Sequence, residues 1–178
     1  MTGAHAVEIS SPVALLGQID QICFVVEDLD AAITHYSRLF DARHWREYQY
    51  GPETVPELGY ADREGTFSFR LALSDCDPQV ELIQSLSGPS IYSDWVERHG
   101  YGLHHLGFFT TDMAGRVRDL EELGLRVSQW GRGNGLDGDG GFTYFESLAA
   151  FGVIIELIEI PRRRHPPRRE WAIRRCAK

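Results

Sequence analysis

The sequence predicts an α+β fold in which two βαβββ modules form a cup-shaped, open mixed sheet. Three observations predict it. Ile19–Leu29 (IDQICFVVEDL) matches Leu103–Met113 (LHHLGFFTTDM) in the order of its apolar residues. An amphipathic helical pattern follows each of these segments, and each half ends in a similar strand, VELIQ at 80–84 and IELIE at 155–159. Such a repeat indicates a unit that stacks on its copy to bury a face that neither could bury alone.

In the first half, the apolar run that begins at Ile19 predicts a buried strand. Asp28 is placed to cap the helix that follows over 29–40, because its carboxylate can accept from free backbone N–H groups of the first turn. The segments RHWREYQY (43–50) and TFSFRLAL (66–73) alternate as strands do, and VELIQ closes the module. These residues complete one βαβββ unit.

The second half repeats the order after a joint that contains a turn at Gly88–Pro89 and a short helix over 90–99. A strand from Leu103, a helix over 113–124 with Asp112 as its cap, and strands RVSQW, GFTYFES and IELIE are predicted. The predicted divisions are an N-terminal extension, module 1, a linker helix, module 2 and a basic C-terminal tail, at 1–17, 18–87, 88–101, 102–161 and 162–178.

Composition narrows the class of protein. The chain has 178 residues with 43% hydrophobic ones, which is enough for one globular core. It shows no apolar run of about 20 residues and no basic start typical of a secretory signal. Its cysteines are three and widely spaced, which favours the reducing cytoplasm over a disulfide framework. We therefore expect a cytoplasmic protein without a membrane segment.

Charge is unevenly distributed. The net charge is −8, yet residues 162–178 are dominated by arginines. A basic tail can bind nucleic acid, but on an acidic body the simpler expectation is that it lies on its own chain or on a partner subunit. We expect no nucleic-acid partner.

Four polar residues interrupt the predicted apolar strands at positions related by the repeat. Gln21 and His105 occupy one repeat position, and Glu81 and Glu156 occupy another. A carboxylate on a buried strand face is costly unless it is paired or bound to a metal. Because the two halves are related by a pseudo-twofold axis, these side chains are expected to converge on one divalent cation.

With these motifs the chain resembles the vicinal oxygen chelate superfamily, which includes glyoxalase I, methylmalonyl-CoA epimerase, extradiol dioxygenases and bleomycin-resistance proteins. The resemblance covers about residues 18–160, and its specific marks are the repeat, GLHHLGF and GVIIELIEI. It implies an open cup around a metal held by Gln21, Glu81, His105 and Glu156. The joint is similar to the epimerase branch, whereas a Gln/Glu/His/Glu set is similar to zinc glyoxalase I.

The resemblance implies a metal-dependent isomerase, epimerase or lyase that acts on a small carbonyl or thioester substrate through an enolate or enediolate. The implied cofactor is one zinc, nickel, cobalt or magnesium ion, with Glu81 and Glu156 as the catalytic residues. A homodimer is expected. The alternative is a metal-free binding protein that sequesters a hydrophobic small molecule. Extradiol dioxygenase chemistry is disfavoured, since Gln21 removes one histidine from a two-histidine, one-carboxylate iron site.

Three further features are interpreted from the sequence. His104 is expected on the sheet face opposite His105, as a structural residue. Glu64 roughly aligns with a glutamate base of the epimerases. The glycine-rich segment 130–142 is read as a loop at the rim of the cup that gates the substrate, or as a plain hairpin connection.

Overall fold

The structure is a computed structural model that describes residues 15–174. Its strands form one sheet, and they are β1 (Gln21–Val25), β2 (His44–Tyr50), β3 (Glu57–Tyr60), β4 (Arg63–Glu64), β5 (Ser68–Ser74), β6 (Gln79–Ser87), β7 (Gly102–Phe109), β8 (Val127–Arg132), β9 (Gly141–Phe145), β10 (Ile154–Glu159) and β11 (Arg169–Ala172). The helices are α1 (Leu29–Leu39), α2 (Ile91–His99), α3 (Met113–Glu122) and α4 (Leu148–Phe151). Within the described range, none of these helices has the length and apolar character needed to span a bilayer.

The sheet contains the predicted repeat. Its strand order is β11-β2-β5-β6-β1-β7-β10-β9-β8-β3-β4. The two first strands, β1 and β7, pair antiparallel at the centre, and each pairs in parallel with the last strand of its own module, β6 or β10. Two βαβββ modules thus meet at β1 and β7, as the α+β prediction required.

Each module carries its own helix on the convex side of the sheet. Asp28 accepts from the backbone N–H of Ala31, and Asp112 accepts from that of Gly115, so both predicted caps are present. Helix α1 packs on Trp45 and its neighbours, while α3 packs in a separate cluster. A third apolar cluster lies on the concave side and combines residues of both modules. The concave side is therefore where the two halves share a site.

Two additions to the repeat were not predicted, and each covers the outer edge of the other half. Hairpin β3–β4 leaves module 1 between β2 and β5 and pairs with β8 of module 2. Strand β11, which follows module 2, pairs with β2 of module 1. These short strands cover the outer edges of β2 and β8, which would otherwise be free to pair with another chain. The homodimer stays a prediction.

The described part of the basic tail forms what we call the C-terminal strap, residues 161–172. It leaves β10 of module 2 and ends on β2 of module 1 as strand β11. Ion pairs fix it at both ends: Arg162 with Asp139, Arg163 with Asp137, and Arg169 with Asp30 and Glu47. This part of the tail therefore lies on acidic residues of its own chain; residues 175–178 are outside the described range.

Candidate metal centre

The four predicted ligands lie on the four central strands and face the concave side. Gln21 of β1 and Glu156 of β10 both have Gly107 of β7 as their cross-strand neighbour. One row further, Cys23 lies between Glu81 of β6 and His105 of β7. The repeat therefore brings two carboxylates, one imidazole and one amide to the shared centre of the sheet.

The distances between these groups are short. The His105 Nε2 atom lies 3.3 Å from Glu81 Oε2 and 2.8 Å from Glu156 Oε2. His105 is fully buried, and Glu81 and Glu156 are 6% and 4% exposed. Both contacts are ion pairs when the imidazole is protonated. Three of the four side chains thus meet at one nitrogen atom.

The atoms that face this centre lack hydrogen-bond partners. Among residues 15–174, the buried polar side-chain atoms without a hydrogen bond include Gln21 Oε1, Glu81 Oε2, His105 Nε2 and Glu156 Oε2. Leaving such atoms unsatisfied costs about 1–3 kcal/mol each, and more for charged groups. Oxygen and nitrogen donors of this kind are suitable ligands for a divalent cation. The residues present therefore fit the implied metal.

Two local features keep the centre open. The Gln21 Nε2 atom donates to Gln79 Oε1 at 3.0 Å, which leaves the Gln21 carbonyl oxygen free to face the centre. Gly107 provides the space, because a Cβ atom there would lie 2.8 Å from Ile158 Cδ1 and 3.1 Å from Gln21 Oε1. A glycine in mid-strand often marks such a close approach.

Cys23 is a candidate ligand that the sequence reasoning missed. Its sulfur, a Glu81 carboxylate oxygen and a His105 ring nitrogen all lie within 4.8 Å of one another. Burial, followed by the charges of Glu81 and Glu156, raises the pKa of the Cys23 thiol well above its usual range. The sequence does carry a signal for it, because strand alternation puts Cys23 on the same face as Gln21.

His104 does not lie on the opposite face, and this expectation was wrong. The register between β1 and β7 shifts at Cys23/Phe24, where β7 accommodates His104 as an extra residue, a β-bulge. A bulge breaks the alternation of side chains and re-aims them. The His104 Nδ1 atom consequently lies 2.8 Å from the Nδ1 atom of His105, and the rings of Tyr92 and Trp95 contact His104.

The contact between the two imidazoles fixes the orientation of His105. Burial, with a smaller effect of His105, lowers the pKa of His104 well below its ordinary value, so His104 is neutral. The pKa of His105 is raised to about 9, so in the metal-free protein at neutral pH its ring carries N–H on both nitrogens, and its Nδ1–H donates to Nδ1 of the neutral His104. This bond turns the His105 Nε2 atom toward the carboxylates. Metal-binding histidines are commonly oriented by such a bond from their other ring nitrogen.

We expect His104→Phe to weaken divalent metal binding about 10–100-fold, because the acceptor for His105 Nδ1–H is lost while the ring volume is kept. Competition titration with zinc or cobalt against a chelating indicator measures the effect. His104→Gln is the matched variant: its amide oxygen can accept the same hydrogen bond and should restore part of the affinity. Equal affinities of a folded His104→Phe protein and the wild type would contradict the orienting role.

The charges of the buried carboxylates favour a proton at the centre, in the place that a cation would take. Burial alone would lower the pKa of His105, but the neighbouring charge of Glu156 and then Glu81 outweigh it and raise the pKa to about 9. Burial raises the pKa of Glu156 despite the opposing effect of His105. Tyr144, whose hydroxyl lies 2.9 Å from that of Tyr92, also contacts Glu156. In the metal-free protein, one proton is thus shared among groups that a cation would otherwise neutralise.

The centre borders a small cavity and lies near a large cleft. The small cavity is about 40 Å³, enough for a few waters at most, and is lined by Gln21, Glu81 and Glu156 together with Arg164 of the strap. The cleft is about 840 Å³ and runs between β2 and strap residues His165, Pro166 and Arg168. Tyr50 lines both spaces, so the cleft adjoins the small cavity at this residue.

The remaining sequence hypotheses have mixed outcomes. Glu64 lies exposed in edge strand β4 and does not line the cavity, which argues against a role as base. The glycine-rich segment is the connection between β8 and β9, and Asn134 within it lines the cavity. Its Asp137 and Asp139 hold the strap. Arg164 was not predicted as a site residue. It lies in a run of arginines in the C-terminal tail, and nothing in that run indicates that one of them faces the centre.

Comparisons with known proteins identify the family of this chain. Residues 20–145 match the family model described as Glyoxalase/Bleomycin resistance protein/Dioxygenase superfamily. A search of curated proteins found no match.

Solved structures resemble the fold at low sequence identity. Methylmalonyl-CoA epimerase from Mycobacterium tuberculosis is 23% identical, with a TM-score of 0.61 over 85% of this chain and 94% of that one. A Streptomyces coelicolor methylmalonyl-CoA epimerase variant in complex with 2-nitronate-propionyl-CoA is 23% identical, with a TM-score of 0.58 over 81% and 97%. A hypothetical protein from Bacillus halodurans is 16% identical, with a TM-score of 0.59 over 83% and 97%.

Proposed function

Because the chain belongs to the Glyoxalase/Bleomycin resistance protein/Dioxygenase superfamily, we propose that it is a metal-dependent enzyme that moves a proton at the carbon beside a carbonyl group. The reaction we favour is epimerisation of a small acyl thioester. The observation that carries the proposal is the pair of buried carboxylates, Glu81 and Glu156, on repeat-related strands at 3.3 and 2.8 Å from one imidazole nitrogen.

Gln21, Glu81, His105 and Glu156 would hold the cation, which is zinc, nickel, cobalt or magnesium, with Cys23 as a further donor beside them. A divalent cation supplies Lewis acidity, which polarises a carbonyl oxygen and makes the neighbouring C–H more acidic. The ligand set mixes nitrogen and oxygen donors with a nearby sulfur, and such a mixture suits zinc, nickel or cobalt better than magnesium.

The two glutamates are arranged for proton transfer. Glu81 comes from module 1 and Glu156 from module 2, so they approach the centre from opposite halves of the cup. A positioned carboxylate is a common general acid or base in enzymes. One glutamate would remove the proton from one face of the carbon, and the other would deliver a proton to the opposite face.

Epimerisation is favoured over a glyoxalase-type lyase reaction by this two-sided arrangement, and solved structures of methylmalonyl-CoA epimerases share the fold. A lyase acting on a glutathione hemithioacetal would use the same ligands. The substrate decides between the two reactions, so both substrate classes belong in the test.

The test is solvent deuterium incorporation followed by NMR, with the metal-loaded protein and methylmalonyl-CoA, a glutathione hemithioacetal or a catechol as substrate. We expect exchange of the α-hydrogen of the thioester, with no ring cleavage of the catechol. Removal of metal by a chelator should abolish exchange, and adding back zinc, nickel or cobalt should restore it. Absence of exchange with every carbonyl substrate would contradict the proposed reaction.

A second candidate is a binding protein that holds a small molecule without turnover. It is favoured by the small cavity at the carboxylates, about 40 Å³, and by the much larger cleft beneath the strap. This candidate predicts purified protein without stoichiometric metal and unchanged ligand after long incubation. The deuterium experiment therefore separates the two candidates.

A further inference from the structure

Three consecutive arginines of the C-terminal strap have different partners. Arg162 pairs with Asp139 and Arg163 pairs with Asp137, both on the glycine-rich connection. Arg164 forms no ion pair with any carboxylate of residues 15–174, although its side chain is half-buried. Its backbone is fixed by a β-bridge to Gly135. The position of Arg164 is therefore set by the strap, while its charge is left unpaired.

The side chain of Arg164 lines the small cavity together with Gln21, Glu81 and Glu156. Arg164 contacts Tyr50, and Tyr50 lines both the small cavity and the large cleft. Burial raises the pKa of Tyr50 to about 12, against a smaller opposing effect of Arg164, so the Tyr50 hydroxyl is protonated at neutral pH. The boundary between cleft and cavity thus presents a guanidinium and a hydroxyl, both of which can donate hydrogen bonds.

The charges around the cavity would balance if one further anion were bound there. A divalent cation at the centre would be balanced by the carboxylates of Glu81 and Glu156. The guanidinium of Arg164 is then the remaining charge beside the cavity, and a partly desolvated cation is costly unless an anion pairs with it. A planar guanidinium matches a carboxylate with two parallel hydrogen bonds.

We propose that Arg164 is a specificity-determining residue that pairs with a carboxylate of the substrate and so selects anionic acyl groups. This inference rests on the proposed function, because it concerns the substrate class of the same centre. It gives the C-terminal strap a role in recognition that lies outside the repeated βαβββ modules. The predicted substrate carries a carboxylate close to the carbon that exchanges its proton.

The test compares binding of methylmalonyl-CoA and isobutyryl-CoA, in which a methyl group replaces the carboxylate, to the metal-loaded full-length protein by calorimetry. The wild type should prefer methylmalonyl-CoA. Arg164→Gln should weaken the affinity for methylmalonyl-CoA about 10–100-fold and leave that for isobutyryl-CoA unchanged, because the substrate carboxylate loses its charged partner at a half-buried site. Arg164→Lys should restore part of the preference, because it keeps the charge but not the two parallel hydrogen bonds.

Arg126→Gln is the matched control. It removes an exposed arginine that pairs with Glu146 outside the strap, the cleft and the small cavity, and it should leave the preference unchanged. Equal wild-type affinity for the two thioesters, no binding of methylmalonyl-CoA, or equal losses of both ligands in Arg164→Gln would overturn the proposal. A preference that depends on Arg164 without any deuterium exchange would support this inference and contradict the proposed enzyme function. Deuterium exchange with the same substrate preference in the wild type and in Arg164→Gln would support the proposed enzyme function and contradict this inference.

Discussion

Glu156→Gln is expected to slow α-hydrogen exchange of the substrate by about 10²–10⁴-fold, the usual contribution of a general acid or base. Glutamine keeps the size of the side chain and can still offer an oxygen atom to a cation, but an amide cannot accept the substrate proton. The expected loss therefore exceeds any loss due to weaker metal binding. NMR-followed deuterium incorporation measures the rate, and metal content is determined for each variant.

Two variants make the result specific. Glu159→Gln changes the last residue of the same strand, which is half-buried and outside the small cavity, and should exchange at the wild-type rate. Glu81→Gln should slow exchange as much as Glu156→Gln if protons move on both faces of the carbon. It should slow exchange less if one face is enough. Wild-type exchange by a Glu156→Gln protein that retains its metal would exclude Glu156 as the base.

The metal-free protein is expected to lose stability as the pH rises from about 6.5 towards 9. The pKa of His105 is raised to about 9 because the nearby carboxylates outweigh the opposing effect of burial. A raised pKa stabilises the fold fully below the unfolded value of about 6.5, and that stabilisation disappears as the pH passes the folded value. The full effect is on the order of 3 kcal/mol. The raised pKa of Glu156 acts in the same direction.

Urea unfolding in the presence of a chelator at pH 6.5 and pH 8 measures this effect. Over that interval, the loss should be on the order of 1–2 kcal/mol, and the cysteines of the unfolded chain are still mostly protonated. His105→Gln should remove most of the pH dependence and should lower the stability at pH 6.5, because two buried carboxylates lose their cation. A stability that is flat or rises over this range would show that His105 is not the charged partner of the glutamates.

Most of the fold could be predicted from local pattern. The repeated apolar order, the two aspartate caps and the matching end strands are properties of the sequence, and the structure shows all of them. Strands β3, β4 and β11 could not be predicted, because they have two to four residues and depend on pairing with distant strands β8 and β2. The bulge at His104 could not be predicted either, because it arises from the register between β7 and β1.

The residues of the candidate centre that stand at repeat-related positions were predictable from the sequence. Gln21, Glu81, His105 and Glu156 stand at repeat-related positions, and the structure brings them to neighbouring positions on one face. Cys23 has Gly107 as its repeat partner, so symmetry gave no reason to select it. Tyr144 and Arg164 reach the centre through tertiary packing of β9 and the strap. Residues that break the symmetry of the repeat are thus the ones that required the structure.

The exchange of edge strands between the halves has a consequence for folding. Because β3–β4 completes the sheet of module 2 and β11 completes that of module 1, neither half has all of its strands without the other chain segment. The duplicated modules therefore form a single cooperative unit, in spite of their separate helix-side cores. Pairings between β2 and β11, or β3 and β8, join residues far apart in the chain, and such long-range contacts slow folding. Half-chain fragments and module-swapped chimaeras would lack part of their own sheet.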